Sequence, residues 1–245
     1  LSDLSRRGTP ADARRRALDL VDAGIAANAL RGGDFAERLA DPAALRRMIS
    51  GAARGPAGTT HISAIDAEGG AAALSSSNGA GSGVVAGDTG FLLNNIMGEQ
   101  DLNPDGFGRI AHGARPPSMM SPTILLRDGA PEIALGSAGS NRIRSAILSV
   151  MSNLIDGGME PAEAVAAPRL HPEGDGVDVE AGTPDEIVDA LAGAGHRLRR
   201  WTAASLFFGG AAVATAQASG ATAAADPRRG GGAFGVTSAG EVVEL

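Results

Sequence analysis

Apolar residues recur at helical spacing over residues 11–30, where Ala17, Leu18, Leu20, Val21, Ile25 and Ala26 mark one face behind a basic first turn of Arg14, Arg15 and Arg16. A second helical stretch is expected near 35–49, with Asp41-Pro42 fitting a helix start. Residues 51–58 then break all periodicity and read as an exposed linker, a natural place for cleavage. From Thr59 the period changes from helical to alternating. Ile62 and Ala64 lead through the turn Asp66-Ala67-Glu68-Gly69-Gly70 into Ala71–Leu74, which predicts a β-hairpin. Thr123–Arg127, Asp128-Gly129 and Glu132–Leu135 predict a second one. A helix follows over 141–156, with Ile143, Ile147, Val150, Met151 and Leu154 on one face and Gly157-Gly158 as its stop. Shorter helices are expected over 161–167 and 184–194, and the stretch 206–243 reads as further strand. Strands and helices in separate runs predict layered α+β architecture and not a doubly wound sheet.

Composition narrows the function classes. The 245 residues suffice for one large domain, and the charged fraction of 20% and hydrophobic fraction of 43% are those of a globular protein. A net charge of -7 with no compensating basic stripe argues against a nucleic-acid partner. No segment has the length and apolarity of a membrane span, and the first residues lack the apolar core of a signal peptide. Cysteine is absent, which excludes thiol catalysis, disulfides and cysteine-based zinc sites together. The compartment stays open.

The candidate chemistry begins at Thr59, which follows the pliant run Arg54-Gly55-Pro56-Ala57-Gly58 and opens the strand Thr59-Thr60-His61-Ile62-Ser63. A threonine so placed is either an ordinary turn into a strand or a self-cleaving N-terminal nucleophile. In the second case its hydroxyl attacks the Gly58 carbonyl, and the freed α-amine then serves as its base. The run Ser75–Gly83 reads as a flexible loop, or as a source of hydroxyls beside a strand end; without the Lys-Ser/Thr of a P-loop it is not a nucleotide site. Arg115–Pro122 forms a rigid polar corner. Gly136-Ser137-Ala138-Gly139-Ser140-Asn141-Arg142 lies between a strand and a helix, where unpaired N–H groups can stabilise an oxyanion or simply be capped by Ser140 or Asn141. The four histidines, His61, His112, His171 and His196, have no metal-ligand spacing, although His61 points the same way as Thr59 on a strand.

Taken in order, six stretches resemble the small subunit of the gamma-glutamyltranspeptidase family of N-terminal-nucleophile hydrolases. They are Thr59-Thr60-His61, Gly90–Asn95, Arg115–Thr123, Gly136–Ile143, Ala167-Pro168-Arg169 and Asp226–Gly231, and the resemblance extends from Thr59 to about Phe234. It implies an αββα four-layer sandwich and no metal or organic cofactor. It implies residues 1–58 as the helical end of a large-subunit-like segment with its linker, and 59–245 as the small-subunit catalytic region. By the same resemblance Thr59 is the nucleophile exposed by cleavage after Gly58, and Ser77 is its hydroxyl partner, with Ser76 as the alternative if a gap intervenes. Asn78 binds the glutamyl carboxylate, Gly139 and Ser140 form the oxyanion pair where the family commonly has Gly-Gly, and Glu99, with Asp101 second, grips the substrate α-amine.

This sequence also departs from the family pattern. Ser118-Met119 stands where many members have two serines against the carboxylate. Only 58 residues precede Thr59, and no arginine there matches the family's carboxylate-binding one. The implied function is a gamma-glutamyl hydrolase or transferase acting on glutathione-like amides, with water or an amino-acid amine as acceptor. Two alternatives stand beside it: an acylase of the same fold on another amide, such as a β-lactam side chain, and a non-catalytic structural relative lacking half of the pocket. A large-subunit polypeptide completing that pocket is the partner implied.

Overall fold

The computed structural model describes residues 12–29, 58–103, 105–217 and 220–245. The helix expected at 35–49 and the linker through residue 57 lie outside the described residues. Helix α1 (Ala13–Ala29) precedes the hairpin β1 (Thr59–Ile65) and β2 (Ala71–Ser77). Next come β3 (Thr123–Arg127), β4 (Ala130–Ala138), α2 (Ile143–Ile155) and α3 (Pro161–Ala166). The chain continues through β5 (Leu170–Glu173), β6 (Gly176–Val179), α4 (Asp185–Gly193) and β7 (Arg197–Arg200). It closes with β8 (Gly210–Gln217), β9 (Gly220–Ala225), β10 (Phe234–Val236) and β11 (Val242–Glu244).

The central sheet has the order β3-β4-β8-β9, antiparallel throughout. Its β3–β4 turn is set by Asp128 (φ 51°) and Gly129 (φ 85°), two successive left-handed residues whose twist matches that of the strands they join. Strand β4 is buried along most of its length because both of its faces are covered. Ile133 and Leu135 pack with Val213 and Ala211 of β8 against Ile143, Ile147, Val150 and Met151 of α2 and Val165 of α3. The opposite face carries the β1–β2 hairpin, whose alternate residues point inward. Helices, central sheet and hairpin sheet are successive layers of an αββα sandwich, an α+β fold. The outward face of the hairpin presents Ile62 and Leu74 to solvent.

A further, three-stranded sheet, β5-β6-β7, departs from the sequence-based expectation. Strands β6 and β7 are parallel and α4 connects them, a crossover unit whose strands have only four residues each. Leu-His-Pro-Glu and Arg-Leu-Arg-Arg carry too little apolar alternation to be read as strands. Their burial comes instead from Val21 of α1 and Val188 and Leu191 of α4, which close a second core around Val177 and Val179. Ser75, Ser76 and Ser77, expected at the start of a glycine- and serine-rich loop, instead complete β2 opposite His61, Thr60 and Thr59.

Where the two cores meet, four charged side chains are buried together. Arg169 donates to Asp226 (2.6 Å) and to the carbonyls of Val165, Phe208 and Gly209. Arg228 clamps Glu180 through Nε (2.7 Å) and Nη2 (2.8 Å) and also reaches Asp226 and the carbonyls that end α3. Glu180 accepts in turn from the Arg169 backbone N–H (3.0 Å). Burial would raise the Asp226 carboxyl, but Arg169 and the N–H groups of Ala211 and Arg228 outweigh it and hold it below its ordinary value. A depressed carboxyl contributes stability above its unfolded pKa, about 3.9, and loses it as the pH falls through the folded value.

We expect Arg169→Met to lower unfolding free energy by about 3–5 kcal/mol, since it removes the 2.6 Å ion-pair partner of the buried Asp226 and leaves only Arg228 and backbone N–H groups against that charge. A urea titration at neutral pH would show this as a lower midpoint. Asp226→Asn should flatten the loss of stability below about pH 4, which repeating the titration at pH 3 and pH 7 checks.

Candidate active site

The first residues of the hairpin bring the hydroxyls together. Thr59 and Ser77 are directly opposite in the β1–β2 register, and their side-chain oxygens are 2.8 Å apart. Ser77 Oγ also accepts from the Gly79 N–H (3.0 Å), which fixes its rotamer. Ser76 faces Thr60 on the outer side of the hairpin, so strand alternation selects Ser77 over Ser76 as the partner of Thr59. The Gly58 carbonyl accepts from the Asn78 N–H at 2.8 Å, extending the ladder by one bond and polarising the carbonyl next to Thr59.

Two residues further in, the ladder repeats with different chemistry. His61 Nδ1 lies 2.7 Å from Ser75 Oγ and Nε2 lies 2.9 Å from Ser63 Oγ, while Ser63 donates to the Ala212 carbonyl of β8 (3.2 Å). The imidazole fills the gap between the two sheets directly over Gly136 of β4, where any Cβ would fall 2.1 Å from His61 Cε1. Burial lowers the His61 pKa, so the ring is neutral at pH 7 and links two serines as a spacer between layers. Gly136 lies on β4 three residues before Gly139, so this contact sets the height of the hairpin above the strand that leads to the Gly139 turn.

That turn has unusual backbone geometry. Gly139 has φ 141° and packs on Gly209, where an added Cβ would lie 2.7 Å from Gly209 Cα. Ser140, although not glycine, has φ 57°. The Arg142 N–H donates back to the Gly139 carbonyl (3.2 Å) and starts the helical turn that leads into α2.

Glu99 reaches the hairpin because residues 78–95 double back on themselves. Val85 bridges Leu92, and Asn95 Oδ1 accepts from the Ala80 N–H (2.8 Å). Asn103 then pins the helical turns around Glu99 by donating to the carbonyls of Ile96, Met97 and Glu99. As a result the Glu99 carboxylate touches Gly79, where a Cβ would lie 2.1 Å from Glu99 Oε1. Burial raises the Glu99 carboxyl; the Ala80 N–H opposes this and the nearby Asp101 charge adds to it.

Asn78 joins the group through its backbone, while its side chain leans toward the Leu92 carbonyl (3.5 Å). Ser118 and Met119 lie on the irregular segment before β3. Ser118 Oγ accepts from the Met120 N–H, and among the described residues no hydrogen bond joins either residue to Thr59 or Ser77. Met120, not Met119, packs against the core. A cavity lies elsewhere, between α1, α2 and β5, lined by Leu20, Gly24, Leu148, Leu170 and His171. Among the described residues no group of three His, Asp or Glu side chains is arranged to hold a metal.

The solved gamma-glutamyltranspeptidases share this layering of hairpin and helix-backed sheet, the N-terminal-nucleophile hydrolase type of fold. Comparison with known proteins specifies the family. The gamma-glutamyltranspeptidase family model matches residues 20–236. The Escherichia coli (strain K12) glutathione hydrolase proenzyme is 36% identical over 154 residues, covering 57% of this chain and 27% of the relative. Acylase ACY 1 proenzyme of Pseudomonas sp. (strain SE83) is 37% identical over 146 residues, covering 59% and 26%. A crystal structure of a Helicobacter pylori gamma-glutamyltranspeptidase mutant superposes with a TM-score of 0.59 at 32% identity, covering 69% of this chain and 99% of that one. This chain belongs to the gamma-glutamyltranspeptidase family. It spans about a quarter of the length of the curated relatives it matches.

Gly136→Ala should cost about 1–3 kcal/mol in chemical denaturation, because the new methyl must displace the His61 ring. The penalty should shrink in a His61→Ala background. An equal penalty in both backgrounds would show that the ring contact is not what excludes a side chain at Gly136.

Proposed function

We propose that this chain is the catalytic part of a gamma-glutamyl hydrolase or transferase that cleaves itself between Gly58 and Thr59. The observation that carries this reading is the Thr59–Ser77 hydroxyl pair at 2.8 Å beside a Gly58 carbonyl already held by the Asn78 N–H. In processing, Thr59 Oγ1 bonds to the Gly58 carbonyl carbon and the Gly58–Thr59 C–N bond breaks. Water then hydrolyses the resulting ester, leaving a Gly58 carboxylate and a free Thr59 amine. In turnover that amine takes the Thr59 hydroxyl proton as Oγ1 attacks the γ-amide of a glutathione-like donor, and passes it to the leaving amine. Ser77 orients the attacking oxygen. The N–H groups of Gly139 and Ser140 face the oxyanion, a contribution of roughly 3 kcal/mol per donor in comparable sites. Water, or the amine of an amino acid or peptide, then releases the glutamyl group.

Glu99 serves as the anionic partner of the donor's α-amine, with Asp101 behind it. Asn78 and Ser118 serve the donor's carboxylate, and Met119 lines that side. Residues 1–58 act as the end of a large-subunit-like segment, and residues 59–245 as the catalytic region. A large-subunit polypeptide completes the pocket. An acylase reading has its own support in Met119, which replaces a hydroxyl at the carboxylate subsite, and in the ACY 1 relative. Turnover of a γ-glutamyl anilide at ordinary rates would exclude it.

Thr59→Ala should abolish both the split and the turnover. Two fragments on a gel of that variant, or an uncleaved wild-type chain by intact mass, would overturn the assignment. Glu99 must be ionised to hold an ammonium group. Because its free pKa is raised, kcat/KM for the anilide should fall on the acid side at a pH above the usual carboxylate value of about 4.3. Glu99→Gln should raise KM and remove that acid limb from the pH profile.

A further inference from the structure

The Gly139–Arg142 turn is held by a group of side chains that the catalytic account leaves unused. Ser140 has φ 57°, a conformation natural to glycine and costly for serine, and such a residue persists only where its surroundings over-determine it. The surroundings here are specific. Asn141 is buried and donates its side-chain amide to one carboxylate oxygen of Glu173, at the end of β5. Asn141 Oδ1 accepts from Arg142 Nη1. Arg142 Nε donates to the Phe207 carbonyl (3.1 Å), and its guanidinium lies 4.5 Å from the centre of the Phe207 ring. That ring stacks on Trp201 at 4.6 Å, and Trp201 donates to the buried Asp178 (3.0 Å). The other oxygen of Glu173 faces His171 Nε2 at 3.6 Å, a contact longer than a hydrogen bond, while His171 Nδ1 meets Ser145 Oγ of α2 at 2.7 Å.

These contacts reach Asn141, Arg142 and Ser145, immediately after the strained serine. Glu173 is the carboxylate that joins Asn141 to His171, and it is 22% exposed. Burial would raise its carboxyl, but His171 and Arg142 more than offset this, so it remains an anion. On the other side, Gly139 is pressed against Gly209, two residues beyond Phe207. The turn is therefore gripped from β5 and from the Phe207–Gly209 bend together.

We propose that Glu173 is a positioning residue for the Gly139 and Ser140 amides: by holding Asn141 and Arg142 it keeps Ser140 in the left-handed conformation that aims those N–H groups. This rests on the reading of these amides as the oxyanion pair. The clasp takes over the task that a glycine at position 140 would perform through its intrinsic freedom of φ.

A double-mutant cycle tests it in the full chain, assayed with γ-glutamyl-p-nitroanilide and by hydrogen exchange of the peptide spanning 139–145. Glu173→Ala should speed amide exchange in that peptide and lower kcat roughly a hundredfold, the scale of a 1 Å misplacement, with KM little changed. Glu173→Gln, which keeps an acceptor for Asn141, should lose less and covers the case in which the alanine variant does not fold. In a Ser140→Gly background the kcat loss from Glu173→Ala should shrink several-fold, because glycine no longer needs the clasp. Unaltered exchange, faster exchange with unaltered kcat, or an equal loss in both backgrounds would overturn the proposal. An unmodified chain without turnover would overturn the nucleophile reading and with it the purpose of the clasp. The exchange measurements would still decide whether Glu173 holds the turn.

Discussion

The buried ion cluster of Arg169, Asp226, Arg228 and Glu180 is the constraint on which the rest of the arrangement depends. Each of its members comes from a different junction: the end of α3, the end of β6, the end of β9 and the turn after it. Arg169 alone reaches the carbonyls of Val165, Phe208 and Gly209. Such a cluster is not cheap, since charges removed from water must recover their hydration from protein partners. Here nearly every donor finds one. The consequence is positional: the Phe207–Gly209 bend is fixed to the sheet, and Gly139 packs against that bend.

From this anchor two separate devices aim the site. The hairpin is spaced from the central sheet by a neutral imidazole resting on a glycine, so His61 and Gly136 together set the depth at which Thr59 and Ser77 lie. The turn after β4 is set by Gly139 on Gly209 and by the side chains that follow Ser140. Both devices use glycine where backbone must approach closely, and both surround it with hydrogen-bonded polar groups. Preorganisation of this kind is what a site needs if its donors are to meet developing charge without reorganising.

The family places these features in context without exhausting them. Relatives named glutathione hydrolase and acylase match this chain at nearly the same identity, so identity alone does not distinguish the two readings proposed above. Under the proposed function the side chains that would distinguish them are Glu99, packed onto the hairpin at Gly79, and Ser118-Met119, on irregular backbone. A left-handed serine at position 140 is the other individual feature, and in the proposed clasp Glu173, 32 residues beyond Asn141, holds the turn that follows it.

Much of this was determined by local sequence. Asp128-Gly129 and Asp66–Gly70 specify their hairpins because Asp and Gly readily adopt the left-handed conformations that Asp128, Gly129 and Gly69 take. The apolar period from Ile143 to Leu154 specifies α2, and Gly157-Gly158 ends it. The order of motifs around Thr59, Ser77 and Gly139 made the family recognisable, because chemistry of this kind demands particular residues at particular backbone positions. Strand alternation alone then distinguishes Ser77 from Ser76 once the register is known. What only the tertiary structure decided are the pairings between distant segments: the β5–β6–β7 sheet, the Arg169–Asp226 cluster, His61 over Gly136, and Glu173 against Asn141. Short polar strands and buried charges carry no local periodicity, since their stability comes from partners that the chain brings together only when it folds.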